Sequence, residues 1–552
     1  MRQLLIILLM IASGCPVIKA QNLSDMDAIM ALSGSDDPLE MDSDEVEKLE
    51  HLLTDPLRLN SASESHLRSC GLFSSYQVAV ITDYISEHGP IRSMMELSLL
   101  DGFGEDFVRK LAPFIILESG KTMNMISGKG VRHDVATRGG LIWREDTGFD
   151  GNYALKFRVD YPSRFTASFA SSRKSGSFSW HFKSIPMNLT IGDFYARFGQ
   201  GLVLWSNSFM NNLTSPETFM KKPSGITQPW SFTGDNAVTG IAADYEVGKC
   251  KISVIADIPD LVTAVNIAWY GRNGHASVTN HVDFPRTGND PQIAVMTGLD
   301  AAFCIRGVNV FGEVAYGWLK RLPSMVAGTR FKAGESVDMA IQLRAHDKEE
   351  YGAAMSGNYR FGKKLPSVGT LSIDLVHYPV SKEEGEAYSL QLKSQFLWEV
   401  SLAEQWTVKL RLSERIRTWG LPFRTDIRSD LIYSFLPFSI SMRVNVLSCD
   451  KVGILSYLDG GYKGDKVSLY LRQGVFLIDD WDDRIYVYER DAPGSFNAPA
   501  MYGRGLWSAV TASWNAARFL RLYIRASFTG YPFMEKKKPG KAELKLQLQY
   551  RF

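Results

Sequence analysis

The sequence predicts a mainly β chain: a large antiparallel transmembrane β-barrel of about 20–24 strands, preceded by a small all-α domain. Three observations carry this expectation. The last eleven residues, Ala542 to Phe552, alternate without a break: Leu544, Leu546, Leu548, Tyr550 and Phe552 share one face, and Lys545, Gln547, Gln549 and Arg551 share the other. Successive side chains on a strand point to opposite faces, so this strand has one oily and one wet side. From about Gly130 onward the hydrophobic period is two, as expected for a cylinder with lipid outside and water inside. Before Gly130 the period is that of helices, punctuated by caps and turns.

Composition is compatible with that division. The 552 residues exceed what one ordinary soluble core organises. Mean hydropathy is −0.11 and 22% of residues are charged. Those values hide a barrel, because its lumen face cancels its lipid face. All 12 Trp lie beyond residue 119, where interfacial girdles would use them. Charge is split sharply. Residues 21–118 hold 6 basic and 19 acidic residues, whereas residues 119–552 hold 53 basic and 41 acidic residues. The two parts should attract each other.

In chain order, Met1 and Arg2 open a basic n-region before the apolar run Leu4 to Ile11. Residues 1–20 read as a signal peptide cut after Ala20, with a lipoprotein-type site at Cys15 as the alternative. Residues 21–45 are acidic and Ser/Asp-rich, and read as a flexible lead or loosely held helix. Residues 46–118 are helical: Leu49, Leu52 and Leu53 mark an apolar face, and Ser61 and Glu64 fit a capping box. Helices follow over Gln77–Glu87, Ser93–Leu100 and Glu105–Leu111. Residues 119–130 are a linker, and 131–552 form the barrel. Within the barrel, Val408, Leu410 and Leu412 oppose Lys409, Arg411 and Ser413. The longer connections, Ser206–Asp235 and Arg490–Met501, are expected outside the cell.

Residues 58–116 look like a double helix-hairpin-helix module. In such hairpins a G-h-G turn, with h apolar, opens a helix whose free N–H groups face a phosphate. The second hairpin has that turn as Gly102-Phe103-Gly104, followed by Arg109 and Lys110. The first is degenerate: it runs Gly71-Leu72-Phe73-Ser74, with Phe73 where the second glycine belongs. These residues and the flanking Leu59–Ser63 and His88–Ser93 resemble the domain of competence-type DNA receptors. The resemblance implies nonspecific DNA binding. Residues 51–118, with 9 acidic and 5 basic residues, suit a polyanion poorly, which favours packing or protein docking.

The run Ile191-Gly192-Asp193-Phe194-Tyr195-Ala196-Arg197-Phe198-Gly199-Gln200-Gly201, taken with the helical module and the terminal Phe552, resembles a family of Bacteroidetes-type outer-membrane barrels carrying an N-terminal helix-hairpin-helix domain. That resemblance implies outer-membrane location and a periplasmic module, and implies no activity. Gly199 and Gly201 read as a bend or a close backbone approach, since no helix follows them as a nucleotide loop requires.

No catalytic motif appears. H-E-x-x-H, G-x-S-x-G and a Walker lysine are absent from the sequence. A hydrolase would have to assemble its site from distant strands, with His181, His275, His281 and His377 eligible. Cys70, Cys250, Cys304 and Cys449 have no metal or disulfide spacing. The acids around Trp481 (Asp479, Asp480, Asp482, Asp483) read as a solvated turn, with calcium as the alternative. No cofactor and no metal is expected.

The strand alternation turns Arg344, Lys393, Lys409, Arg411, Arg415, Arg521 and Arg525 inward, giving a candidate basic lumen that would draw anions. The expectation is therefore a non-enzymatic outer-membrane binding or transport protein. Its surroundings are membrane lipid, its cargo is anionic (DNA being one version), and a periplasmic protein partner is the alternative role for the module.

Overall fold

The computed structural model describes residues 25–41, 43–117, 131–161, 164–172, 174–206, 213–229, 232, 237–284, 293–319, 321–334, 336–347, 349–382, 386–535 and 538–552. The signal-peptide reading, the 119–130 linker and Lys536 and Lys537 of the last turn lie outside the described residues.

Among the described residues, 24 antiparallel strands close into one barrel, each paired with its neighbour in sequence. The first barrel strand, Arg132–Arg144, pairs with the last, Lys541–Arg551, from Lys541↔Arg144 to Arg551↔Asp134. Phe552 completes the seam. Its N–H donates to the His133 carbonyl at 3.0 Å, the His133 N–H donates back at 2.8 Å, and the two rings stack at 4.6 Å. The short strand Gly225–Thr227 lies off the ring and pairs with the end of Met187–Arg197.

The alternation seen in sequence decides the faces. Leu544, Leu546 and Leu548 stand exposed on the outside, whereas Gln547 and Gln549 are buried inside. A row of outward aromatics rings the end that carries the termini: Trp406–Tyr433, Tyr433–Phe435, Phe435–Phe438 and Phe438–Tyr462 lie 4.5–5.4 Å apart. At the other end Tyr351, His377 and Tyr388 form a similar cluster. Two such girdles flanking an apolar belt are what a bilayer requires. Connections at the terminal end are short turns, such as 247–250 and 305–308. The long ones, 198–237 and 479–502, leave from the opposite end.

Among the described residues the N-terminal module has six α-helices: α1 Asp25–Ser33, α2 Ser43–Thr54, α3 Glu64–Ser69, α4 Ser75–His88, α5 Met94–Ser98 and α6 Glu105–Leu111. Their core gathers Ile29, Leu59, Val78, Ile81, Leu97, Leu111 and Phe114, all fully buried. Two sequence expectations are decided here. Of the flexible lead and the loosely held helix read over residues 21–45, the structure has a helix, α1, because Ile29 and Leu32 find this core. The capping box moves from Ser61 to Ser74, whose Oγ accepts from Gln77 N–H at 3.3 Å while Gln77 Oε1 accepts from Ser74 N–H at 3.0 Å. Ser63, not Ser61, caps α3. Ser61 is taken up in a 3-10 turn, Leu59–Ser61.

Candidate functional site

The module is lodged inside the barrel. At the terminal mouth it is tied to the rim by Asp25–Lys463, Asp83–Arg272 and Asp106–Arg360, at 2.9, 3.3 and 2.6 Å. From there its acidic residues reach up the lumen. Asp37 meets Arg411 at 3.1 Å and Arg428 at 3.0 Å, and Asp36 meets Arg428 at 3.1 Å and Gln395 at 3.0 Å. Glu47 meets Lys156 at 2.9 Å, with both side chains at least 92% shielded. Burial by itself would raise the Asp37 carboxyl, but the guanidiniums of Arg428, Arg411 and Arg443 prevail and hold it below the usual carboxylate range.

Both long connections also turn inward, against the expectation that Ser206–Asp235 and Arg490–Met501 lie outside the cell. Several of their described polar groups bond to the lumen wall. In the first, Glu217 meets Arg330 at 3.2 Å, and Gln342 donates to the Phe219 carbonyl at 2.9 Å. Gly199 and Gly201 take left-handed backbone there, and the Gln200 and Leu202 N–H groups donate to the buried Glu313 carboxylate at 2.7 and 3.1 Å. A Cβ on Gly199 would sit 2.7 Å from that carboxylate, so the close approach needs glycine. In the second, Asp491 meets Lys545 at 2.7 Å, and Glu489 accepts from Arg525 and from the Trp507 indole.

The basic lumen residues fall into two groups. Arg344 pairs with Glu350 and Asp374, Lys409 with Glu399, Arg411 with the module, and Arg525 with Glu489 and Glu543. Lys393 and Arg415 have no ion pair among the described residues. Arg521 lies across from Gln549 near the terminal end. Sequence reasoning missed Arg428 and Lys156 on the wall, and Asp36, Asp37 and Glu47 opposite them. The charge split was the signal that pointed to them.

The candidate phosphate turn is otherwise engaged. Phe103 is buried between Phe73 and Phe107, and the Gly102 carbonyl accepts from Gln77 Nε2 at 2.8 Å. Gly104 opens α6, whose first turn carries Glu105 and Asp106. Arg109 and Lys110 fold back onto Asp106 at 2.6 and 3.2 Å. An arriving phosphate would meet carboxylates. In the degenerate first hairpin, Gly71 supplies a left-handed turn and Ser74 the cap.

One lumen cluster contains hydrolase-like residues. His275 Nε2 lies 3.1 Å from Asp300 Oδ2, and Ser277 donates to Asp300 Oδ1. The serine is bonded to the carboxylate and not to the imidazole, so the histidine–serine contact of a catalytic triad is not formed here. Asp483 accepts three backbone N–H bonds from Cys449, Asp450 and Lys451, and Asp479 pairs with Arg504. Among the described residues, no group of three His, Cys, Asp or Glu could hold a metal.

No family model and no curated protein matches this sequence. Solved structures match over about three quarters of the chain at low sequence identity. OccK11 of Pseudomonas aeruginosa is 10% identical over 76% of this chain and 96% of its own, with a TM-score of 0.30. OpdK of the same organism is 8% identical over 77% and 99%, with a TM-score of 0.28. OccAB3 of Acinetobacter baumannii is 9% identical over 77% and 100%, with a TM-score of 0.28. Closure, girdles and an apolar exterior decide the compartment. The chain is an outer-membrane β-barrel. Its termini and short turns face the periplasm, and its long connections start at the outer surface.

The module's seat is pH-sensitive. Glu50 accepts from the Gly494 N–H at 3.1 Å inside this interface. Burial pushes its carboxyl up to about 8, against the pull of the Gly494 N–H and with a further push from Glu47. A raised pKa favours docking fully below the ordinary value of 4.5, and that contribution is lost as pH rises through about 8. Protease cleavage of the module should therefore increase between neutral pH and pH ~9 in the native chain. Glu50→Gln should remove that alkaline increase.

Proposed function

We propose that this barrel is a gated binding or transport protein whose own acidic N-terminal module closes the lumen. A solute crosses only when the module moves. The observation that carries this reading is the seat of Asp36 and Asp37 on Arg411 and Arg428, well inside the barrel. Barrels of this size leave a lumen wide enough to need a plug or conduct as a channel. The test is planar-bilayer conductance of the full chain and of a chain lacking residues 25–117. The full chain should be silent and the truncated one should conduct steadily. Equal conductance in the two would overturn the reading.

A second role for the module is supported by α5. Met95 and Leu99 are 76% and 80% exposed on a domain whose other large apolar groups are mostly covered. They flank Glu96 and Asp101, which suits a periplasmic protein with a basic, partly apolar contact segment. A Met95→Asp/Leu99→Asp chain should assemble normally but fail to retain that protein when solubilised envelopes are fractionated. Unchanged retention would remove this role. DNA as cargo draws least support, because the Gly102–Gly104 turn is flanked by acids. A shift of a DNA fragment by the full chain at low salt would restore it.

A further inference from the structure

We propose that Lys393, Arg415 and Arg424 form a binding site for a small carboxylate or phosphate anion at the outer mouth of the lumen. Strand register makes them immediate neighbours: Lys393 lies directly across from Arg415, and Arg415 directly across from Arg424. They share the face of Arg411, four residues down the same strand, whose guanidinium touches the module inside the lumen. All three therefore point inward. Residues directly opposite in an antiparallel pair have Cβ atoms about 4.5–5.5 Å apart, and like charges placed so are destabilising.

Among the described residues, the neighbouring strands offer these cations no ion-pair partner. Asp374 lies across from Lys393, but its two oxygens accept from Arg344 at 2.8 and 3.1 Å. Asp426, two residues from Arg424, is 3.7 Å from Arg411. Among the described residues no carboxylate comes within ion-pair distance of Lys393, Arg415 or Arg424. The Nε of Arg415 is buried and has no hydrogen-bond partner. Of the other cations on this face, Lys409, Arg411 and Arg428 are neutralised, and Arg417, one rung further out, donates its Nε–H to the Leu421 carbonyl at 3.0 Å. Three adjacent uncompensated cations at one rung are the complement of an anion, and two planar guanidiniums suit the paired oxygens of a carboxylate or phosphate.

The site also lies on the expected route. Its rung is close to the outer end of these strands, above the Gln395 and Ser413 rung that hydrogen-bonds to Asp36. A solute arriving from outside would meet it before meeting the module. This inference rests on the transport reading only for the direction of travel. Binding is measured on the closed full chain, so failure of the conductance test and failure of this one are separate results.

The experiment is calorimetric titration of the full chain in detergent with succinate and, separately, with inorganic phosphate. Arg415→Gln/Arg424→Gln should bind roughly tenfold or more weakly than the native chain. Lys363→Gln/Lys364→Gln, which removes as much charge from a turn at the periplasmic end, should leave binding unchanged. Arg415→Lys/Arg424→Lys keeps charge without the fork and should retain part of the affinity, which guards against a variant that fails to fold. Succinate alone binding would identify a carboxylate site, phosphate alone a phosphate site, and both a general anion site. Binding of neither probe, equal binding by the Gln variant, or equal loss in the lysine control would overturn the proposal.

Discussion

Replacing Asp36 and Asp37 together by Asn is expected to make the intact barrel leak. Both carboxylates are buried against Arg411 and Arg428, whose side chains are 8% and 3% exposed. Asn keeps the shape and an acceptor oxygen but removes the charge. Arg428 would then keep only Asp430, at 3.1 Å, and Arg411 only Asp426, at 3.7 Å, so each buried guanidinium loses its module partners while the module is seated. Breaking a buried pair from one side costs about 3–5 kcal/mol where the remaining charge is uncompensated, and the wall carboxylates that stay beside Arg411 and Arg428 hold the cost here to the low end, about 3 kcal/mol. Spent on docking alone, that raises the unseated population roughly 10²-fold. Single-channel recordings should show frequent openings where the native chain is silent. Adding Arg428→Gln should reverse part of the effect, because its wall partner Asp430 still holds Arg443 and no unpaired charge is left at that position. A doubly Asn-substituted barrel as tight as the native one would show that other contacts hold the module.

Arg525→Met should release the 479–502 connection from the wall. Arg525 is 3% exposed and holds Glu489 and Glu543, with Asp491 at 3.8 Å. Glu489 and Asp491 are themselves almost fully buried. Losing the arginine leaves two buried acids on one connection. Lys545 remains for Asp491, and the Trp507 indole for Glu489. The cost is about 3–5 kcal/mol, enough to favour the extended connection over the folded one. Protease added outside intact cells should cut the variant within this segment and spare the native chain. Arg504→Ala is the control: its pair with Asp479 is solvent-exposed, and exposed pairs contribute little. Equal resistance of Arg525→Met and the native chain would mean that the segment's apolar contacts, Ile485 and Val487 in the wall cluster, suffice to hold it.

These two sites differ in how readable they were. Inward Arg411 and Arg525 follow from alternation along their strands, because side-chain direction on a strand is set by parity alone. Their partners do not. Nothing local marks Asp37 as the counter-ion of a residue 391 positions away, or distinguishes Glu489 from any acid in an outer loop. The module's helices were legible for the same local reason: α6 is where the sequence put it, and α4 extends its expected span by a residue or two. The segment before residue 45 was not, since α1 has little helical signal apart from the core that receives Ile29 and Leu32.

The sequence alone therefore determined the rhythm: a period of two through the barrel, a helical period before it, and opposite charge on the two parts. Those are properties of neighbours in the chain. Only the closed ring decided what fills the lumen, which loops turn into it and which cations stay unpaired. Those outcomes depend on a cylinder's curvature bringing residues hundreds of positions apart to the same depth, where buried charge must find a partner.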